Sequence, residues 1–182
     1  MNIVAISGSL RSASWNTLLL KAAAKAAKAE GAELNLLDIG ELPLYNSDLD
    51  GEVKPAAVSR LLAALAQADG LFIATPEYNY SIPGVLKNAL DWASRPAYQS
   101  LLVGKPCGLI SASMSPLGGA RAQVHLREVL AATLTPVYLA PDYLLPLAQN
   151  AFDGAGALSD AKALERLQRY VKGYLAWAKK CS

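Results

Sequence analysis

Short apolar runs alternate with helix-length stretches along the whole chain, and that alternation leaves few folds open. "NIVAIS" (Asn2–Ser7), "ELNLLD", "GLFIAT" (Gly70–Thr75), "PCGLIS" and "PVYL" read as strands, each apolar enough to be buried on both faces. Helical patterns fill the gaps: Asn16–Glu30, a stretch opened by Pro55 and running to about Ala68, one from Ser81 and Pro83 to about Ser94, Gly119–Thr133, and a last helix capped by Ser159. In the first helix Lys21, Lys25 and Lys28 share a polar face and Gly31 supplies the stop. In the last, Leu164, Leu167, Val171, Tyr174 and Ala178 make the core stripe. Strands that alternate with helices imply a parallel sheet covered on both faces.

At 182 residues the chain is one domain, expected to span 1–182. For five strands the expected arrangement is the doubly wound, flavodoxin-like α/β fold with strand order 2-1-3-4-5. Ligands then bind outside the carboxyl ends of the strands, where the topology switches between strands one and three. Three loops crowd that edge: Ser7–Trp15, Pro76–Ile82 and Ala112–Gly118. They are also the loops richest in chemistry.

The first of them, "GSLRSASWNT", precedes a helix. A helix start is an anion site, because free N–H groups and the helix dipole both face it. Ser9, Ser12, Ser14 and Thr17 add hydroxyls, Asn16 an amide, and Arg11 a fork that matches phosphate oxygens. The loop lacks the G-x-x-x-x-G-K-[ST] of a triphosphate site and the G-x-G-x-x-G of a pyrophosphate site. A terminal monophosphate fits it, as does an ordinary polar turn with a serine cap. The second loop, "TPEYNYS", offers a flat ring the faces of Tyr78 and Tyr80 and the polar atoms of Glu77 and Asn79. The same tyrosines also read as core or interface aromatics. Phosphate and ring sites facing one another across the crevice describe FMN.

"GSLRSASWN", "LPLYNSD", "TPEYNYSIPGVLKNALDW" and "GGARAQVHLR" together resemble the NADPH-dependent FMN reductase family, and within it the bacterial quinone and chromate reductases. The resemblance implies non-covalent FMN in a flavodoxin-like fold. It implies phosphate binding at Ser9, Arg11, Ser14 and Asn16, cofactor binding at Trp15 beside them, and isoalloxazine contacts from Pro76, Glu77, Tyr78, Asn79 and Ser113. It implies hydride transfer by a ping-pong cycle from NADPH or NADH, through FMN, to a small-molecule acceptor such as a quinone, chromate, or an azo or nitro compound. No side chain is then a covalent catalyst, since the flavin carries the chemistry. Homodimers or homotetramers with active sites at the dimer interface are implied as well. The aromatics Tyr45, Tyr78, Tyr80, Trp92 and Tyr98 on or beside the active edge point the same way.

Other chemistries find little support. A formal charge of +2 without a Lys/Arg run gives no reason to expect nucleic acid. The first residues lack a signal-peptide pattern and no run approaches a membrane span, so a cytoplasmic protein is expected. Cys107 and Cys181 have no metal or redox spacing, and Cys107 reads as buried packing. His125 lies mid-helix, and Asp48 and Asp50 read as solvated loop charges, so no metal site is expected. The alternative of a flavodoxin-type electron carrier shares the fold and the cofactor, but such carriers usually dock through strongly acidic surfaces, which a chain at +2 lacks. A receiver-type signalling domain would want acids after strand one, where Ser7, Gly8 and Ser9 stand.

Overall fold

A computed structural model describes residues 1–181. Strands β1 (Asn2–Ser7), β2 (Glu33–Leu37), β3 (Gly70–Ala74), β4 (Cys107–Ala112) and β5 (Tyr143–Leu145) form one parallel sheet in the order β2-β1-β3-β4-β5. Helices α1 (Trp15–Ala29) and α5 (Ala161–Ala178) cover one face, and α2 (Ala56–Ala66), α3 (Gly84–Ala93) and α4 (Ala120–Ala132) the other. Alternate residues of each strand feed the two cores. Ile3 and Ala5 of β1 join Phe72 of β3, Leu19 and Leu20 of α1, and Leu167 and Val171 of α5. Val4 and Ile6 join Ile73, Leu61, Leu90 and Leu126 on the opposite side. This is the two-sided burial that a parallel sheet requires. Of the expected stripe on α5, Leu167, Val171, Tyr174 and Ala178 are buried and Leu164 is partly so.

Gly108 shows how tightly the α5 side is packed. A Cβ there would lie 2.6 Å from the Phe72 ring, which itself meets Tyr174 edge-on at 5.1 Å between centroids.

Two expected boundaries are corrected. "PVYL" is not the fifth strand. Val137 makes a single bridge to Cys107, with Cys107 N–H donating to Pro136 O and Tyr138 N–H to Cys107 O, both at 2.8 Å. The ladder resumes only at Tyr143, opposite Ile110. Between these points the chain loops out through Pro141, which has no N–H to give a ladder. Tyr138 meanwhile packs its ring against Tyr170, Tyr174 and Trp177 of α5. The second correction is the cap of α5. Asp160, not Ser159, accepts the Ala163 N–H at 2.9 Å, and its carboxylate complements the helix dipole.

The long loop after β2 is anchored to α3. Trp92 Nε1 and Asn88 Nδ2 donate to Pro43 O at 2.8 and 2.9 Å, and Tyr45 N–H donates to Asn88 Oδ1 at 2.8 Å. Trp92 is therefore core, and Tyr45 packs edge-on against it, so neither belongs to an exposed aromatic cluster. Asp50 is not simply solvated. It pairs with Lys54 and accepts from the Tyr45 hydroxyl.

Candidate active site

The expected loops leave the carboxyl ends of β1, β3 and β4, which are neighbours in the sheet, so all three meet at one edge. They enclose a cleft of about 200 Å³. The first loop contributes Ser9, Arg11, Ser14, Trp15 and Asn16, the second Pro76, Glu77 and Tyr78, and the third Ser113 with its neighbours Ala112 and Met114. A second recess of about 420 Å³, between the first loop and the start of α3, shares Arg11 and Tyr78 with it.

The first loop is held by its own hydroxyls. Thr17 Oγ1 donates to Ser7 Oγ at 2.9 Å, Ser9 N–H donates to the same oxygen at 3.3 Å, and Gly8 N–H reaches Ala74 O at 2.8 Å. Ser14 caps α1, accepting from Thr17 N–H. The main-chain N–H groups of Ser12, Ala13, Ser14, Trp15 and Asn16 make no bond within the described residues. The arrangement is a run of donors at the start of a 15-residue helix, suited to one anion. The Arg11 guanidinium is exposed, touches the chain only through Ala13 O at 2.8 Å, and keeps its remaining N–H groups free.

Asn16 is buried, and its amide is spoken for. Nδ2 donates to Ala112 O and Oδ1 accepts from Ala112 N–H, both at 2.9 Å. Its side chain is thus a strut between α1 and the end of β4, and what it has left to offer an anion is chiefly its main-chain N–H.

The second loop is a tight hairpin. Tyr78 N–H donates to Ser81 O at 2.9 Å and Ser81 N–H to Tyr78 O at 3.0 Å. Asn79 and Tyr80 form its tip, both with positive φ (49° and 68°). Asn79 is exposed there and does not line the cleft. Glu77 lines the cleft, but its carboxylate is engaged by α4: Arg121 N–H donates to Oε2 at 3.0 Å, and the Arg121 guanidinium lies 3.3 Å from Oε1. The residue sequence shows Arg121 and His125 one helical turn apart, the spacing that puts both on the side facing this loop.

The third loop is tied to the segment after β5. Ser113 N–H donates to Leu145 O, and Ser113 O accepts from Ala148 N–H, both at 3.0 Å. Behind the loops, Cys107 is fully buried and burial pushes its thiol well above the ordinary range, so it stays protonated and inert.

A doubly wound sheet with a donor-lined cleft at its β1/β3 switch point is a flavodoxin-like nucleotide-binding architecture. The family described as NADPH-dependent FMN reductase matches residues 1–150. The chain is 43% identical over 180 residues to the NAD(P)H-dependent FMN reductase of Pseudomonas aeruginosa, covering 99% of this chain and 96% of that protein. It is 41% identical over 170 residues to the quinone reductase of Escherichia coli K12, covering 92% and 89%. Among solved structures it resembles FerB, a flavoenzyme NAD(P)H:(acceptor) oxidoreductase from Paracoccus denitrificans, with a TM-score of 0.90, 36% identity, and 98% and 97% coverage. The chain belongs to the NADPH-dependent FMN reductase family.

Proposed function

We propose that residues 1–182 form one FMN-binding domain that uses NAD(P)H to reduce quinones. The observation that carries this reading is the convergence in one cleft of the open donor run at the start of α1, the Arg11 fork, and the Pro76–Tyr78 wall. The donor set fits FMN, since a terminal phosphate needs several N–H groups around one point and a flat ring needs a stiff wall. Bound FMN supplies the hydride exchange between nicotinamide and quinone. Within this reading Ser9, Arg11, Ser14 and the N–H groups of Trp15 and Asn16 hold the phosphate. Pro76, Glu77, Tyr78 and Ser113 flank the ring, and Asn79 shapes the turn. The recess beside Arg11 and Tyr78 admits nicotinamide and quinone in alternation, as a ping-pong cycle requires. With Glu77 neutralised by Arg121, main-chain N–H groups of the second loop are the groups that stabilise negative charge on the ring.

The test is direct. Protein stripped of flavin should bind one equivalent of FMN, and the complex should oxidise NADPH or NADH rapidly when a benzoquinone is supplied, with no partner protein. FMN binding without such oxidation would favour the electron-carrier reading and defeat this one.

The relatives named as quinone reductases support the acceptor class. Among the described residues no helix is long and apolar enough to cross a membrane. A homodimer or homotetramer is part of the same reading. Tyr78, Tyr80, Met114, Leu117 and Val124 are each 43–63% exposed on the second and third loops and α4, a large apolar surface to leave wet. Sedimentation at micromolar concentration should give a dimer or larger. A fully active monomer would refute it.

A further inference from the structure

We infer that Arg121, at the start of α4, is a positioning residue that holds the Tyr78–Ser81 hairpin in the shape the flavin site needs. The inference rests on the flavin-binding reading of the cleft. Its starting point is a local conflict. Two-residue hairpins with both central residues at positive φ favour asparagine then glycine, because a side chain at the second place crowds its own backbone. Here the first place is Asn79, as expected, but the second is Tyr80 at φ 68°.

What holds Tyr80 there is α4. The Arg121 guanidinium carbon lies 3.9 Å from the centre of the Tyr80 ring, a close cation–π contact. The same guanidinium pairs with Glu77, and the Arg121 main-chain N–H bonds that carboxylate as well. One turn further on, His125 Nδ1 stands 3.0 Å from Ser81 Oγ. Residues 77, 80 and 81 are thus gripped from one helix face, while Tyr78 stays free to line the cleft.

The helix start is itself referenced to the sheet. Gly119, at φ 88°, precedes α4, and a Cβ there would come within 2.8 Å of Ser111 Cβ. Ser111 Oγ donates to Gly118 O at 2.6 Å, and the buried Gln123 Nε2 donates to Ser111 Oγ at 2.9 Å and to Tyr143 O at 3.0 Å. The hairpin therefore takes its position from β4 and β5 through α4. Without Arg121, Tyr80 relaxes toward negative φ, the two-residue turn opens, and Pro76–Tyr78 leave the ring.

The experiment is flavin binding to the stripped full chain, followed by fluorescence quenching and by the visible spectrum of the bound flavin. Arg121→Ala should weaken FMN and riboflavin by the same factor, roughly 10-fold, because the hairpin meets the ring and not the phosphate. The bound spectrum should move toward that of free flavin. Arg121→Lys, which keeps the charge and loses the planar stack, should fall between. The decisive variant is Tyr80→Gly in the Arg121→Ala background. Glycine takes positive φ without steric cost, so affinity and spectrum should largely recover. Arg121→Ala binding both flavins like wild type, or a double variant no better than Arg121→Ala, overturns the inference. Should Arg121→Ala fail to fold, Arg121→Lys with and without Tyr80→Gly carries the same comparison, with rescue supporting the inference and its absence overturning it. Wild-type protein that binds neither flavin overturns the flavin reading itself.

Discussion

Asn16→Ala lowers the stability of the folded chain by about 2–4 kcal/mol, read from urea unfolding. The side chain is 3% exposed and makes two bonds to one residue, donating to Ala112 O and accepting from Ala112 N–H. These are the two bonds a neighbouring strand would make, supplied by a side chain where β4 ends. Alanine leaves a buried donor and a buried acceptor unpaired, at about 1–3 kcal/mol each. Ala112 borders the cleft, so water entering the space that the amide leaves trims the upper end of that sum. Asn16→Asp is the sharper variant. It keeps the acceptor for Ala112 N–H but sets a carboxylate oxygen against Ala112 O and places negative charge beside the donor run. FMN affinity should therefore fall further in Asn16→Asp than in Asn16→Ala. Denaturation curves for Asn16→Ala within 0.5 kcal/mol of wild type, about the scatter of a neutral surface change, would mean that the strut is not made.

Asn16 also marks where the sequence is legible and where it stops. The strand order and the meeting of three loops follow from alternation and connection rules, because a parallel sheet of this size has few ways to bury both faces. Buried strands such as β3 and β4 announce themselves as apolar runs. The edge does not. "PVYL" has the composition of a strand, yet its place beside β4 is interrupted, because Tyr138 gains more by packing under α5 and Pro141 cannot extend a ladder. At the site, residue type and loop position locate Ser9, Arg11, Ser14, Pro76, Tyr78 and Ser113 in the cleft. They do not tell a ligand from a strut. Asn16 and Glu77 both look like groups for a cofactor, but Asn16 spends its amide on the Ala112 main chain and Glu77 its carboxylate on the main chain and guanidinium of Arg121. Separations of 96 and 44 residues leave no local pattern to read. Trp92 and Tyr45 fail in the other direction: they look like interface aromatics, but they join the long loop to α3, Trp92 of α3 donating to Pro43 O and meeting the Tyr45 ring edge-on.

Arg11 lies at the opposite extreme from Asn16, since it holds almost nothing together and its replacement should act on the ligand alone. Its guanidinium is exposed at the mouth of the cleft with one intramolecular bond, to Ala13 O. Arg11→Ala should leave unfolding nearly unchanged. A charge-assisted hydrogen bond to phosphate contributes roughly 1.5–3 kcal/mol, so FMN affinity should fall roughly 10- to 150-fold. Riboflavin has the same ring and no phosphate, and its weaker binding should barely move. This pattern differs from that of Arg121→Ala, which acts through the ring and weakens both ligands equally. It differs also from Asn16→Ala, which loosens the loop and should cost both ligands and stability together. Lys28→Ala, on the exposed face of α1 near its far end, is the control and should leave both affinities as they are. Titration of stripped protein with each flavin checks all of these. Equal losses for FMN and riboflavin in Arg11→Ala would place Arg11 on the ring or in the fold of the loop. No loss for either would mean that the open N–H groups from Ser12 to Asn16, with the serine hydroxyls, hold the phosphate unaided. Arg11, which also borders the adjoining recess, would then face the incoming nicotinamide nucleotide.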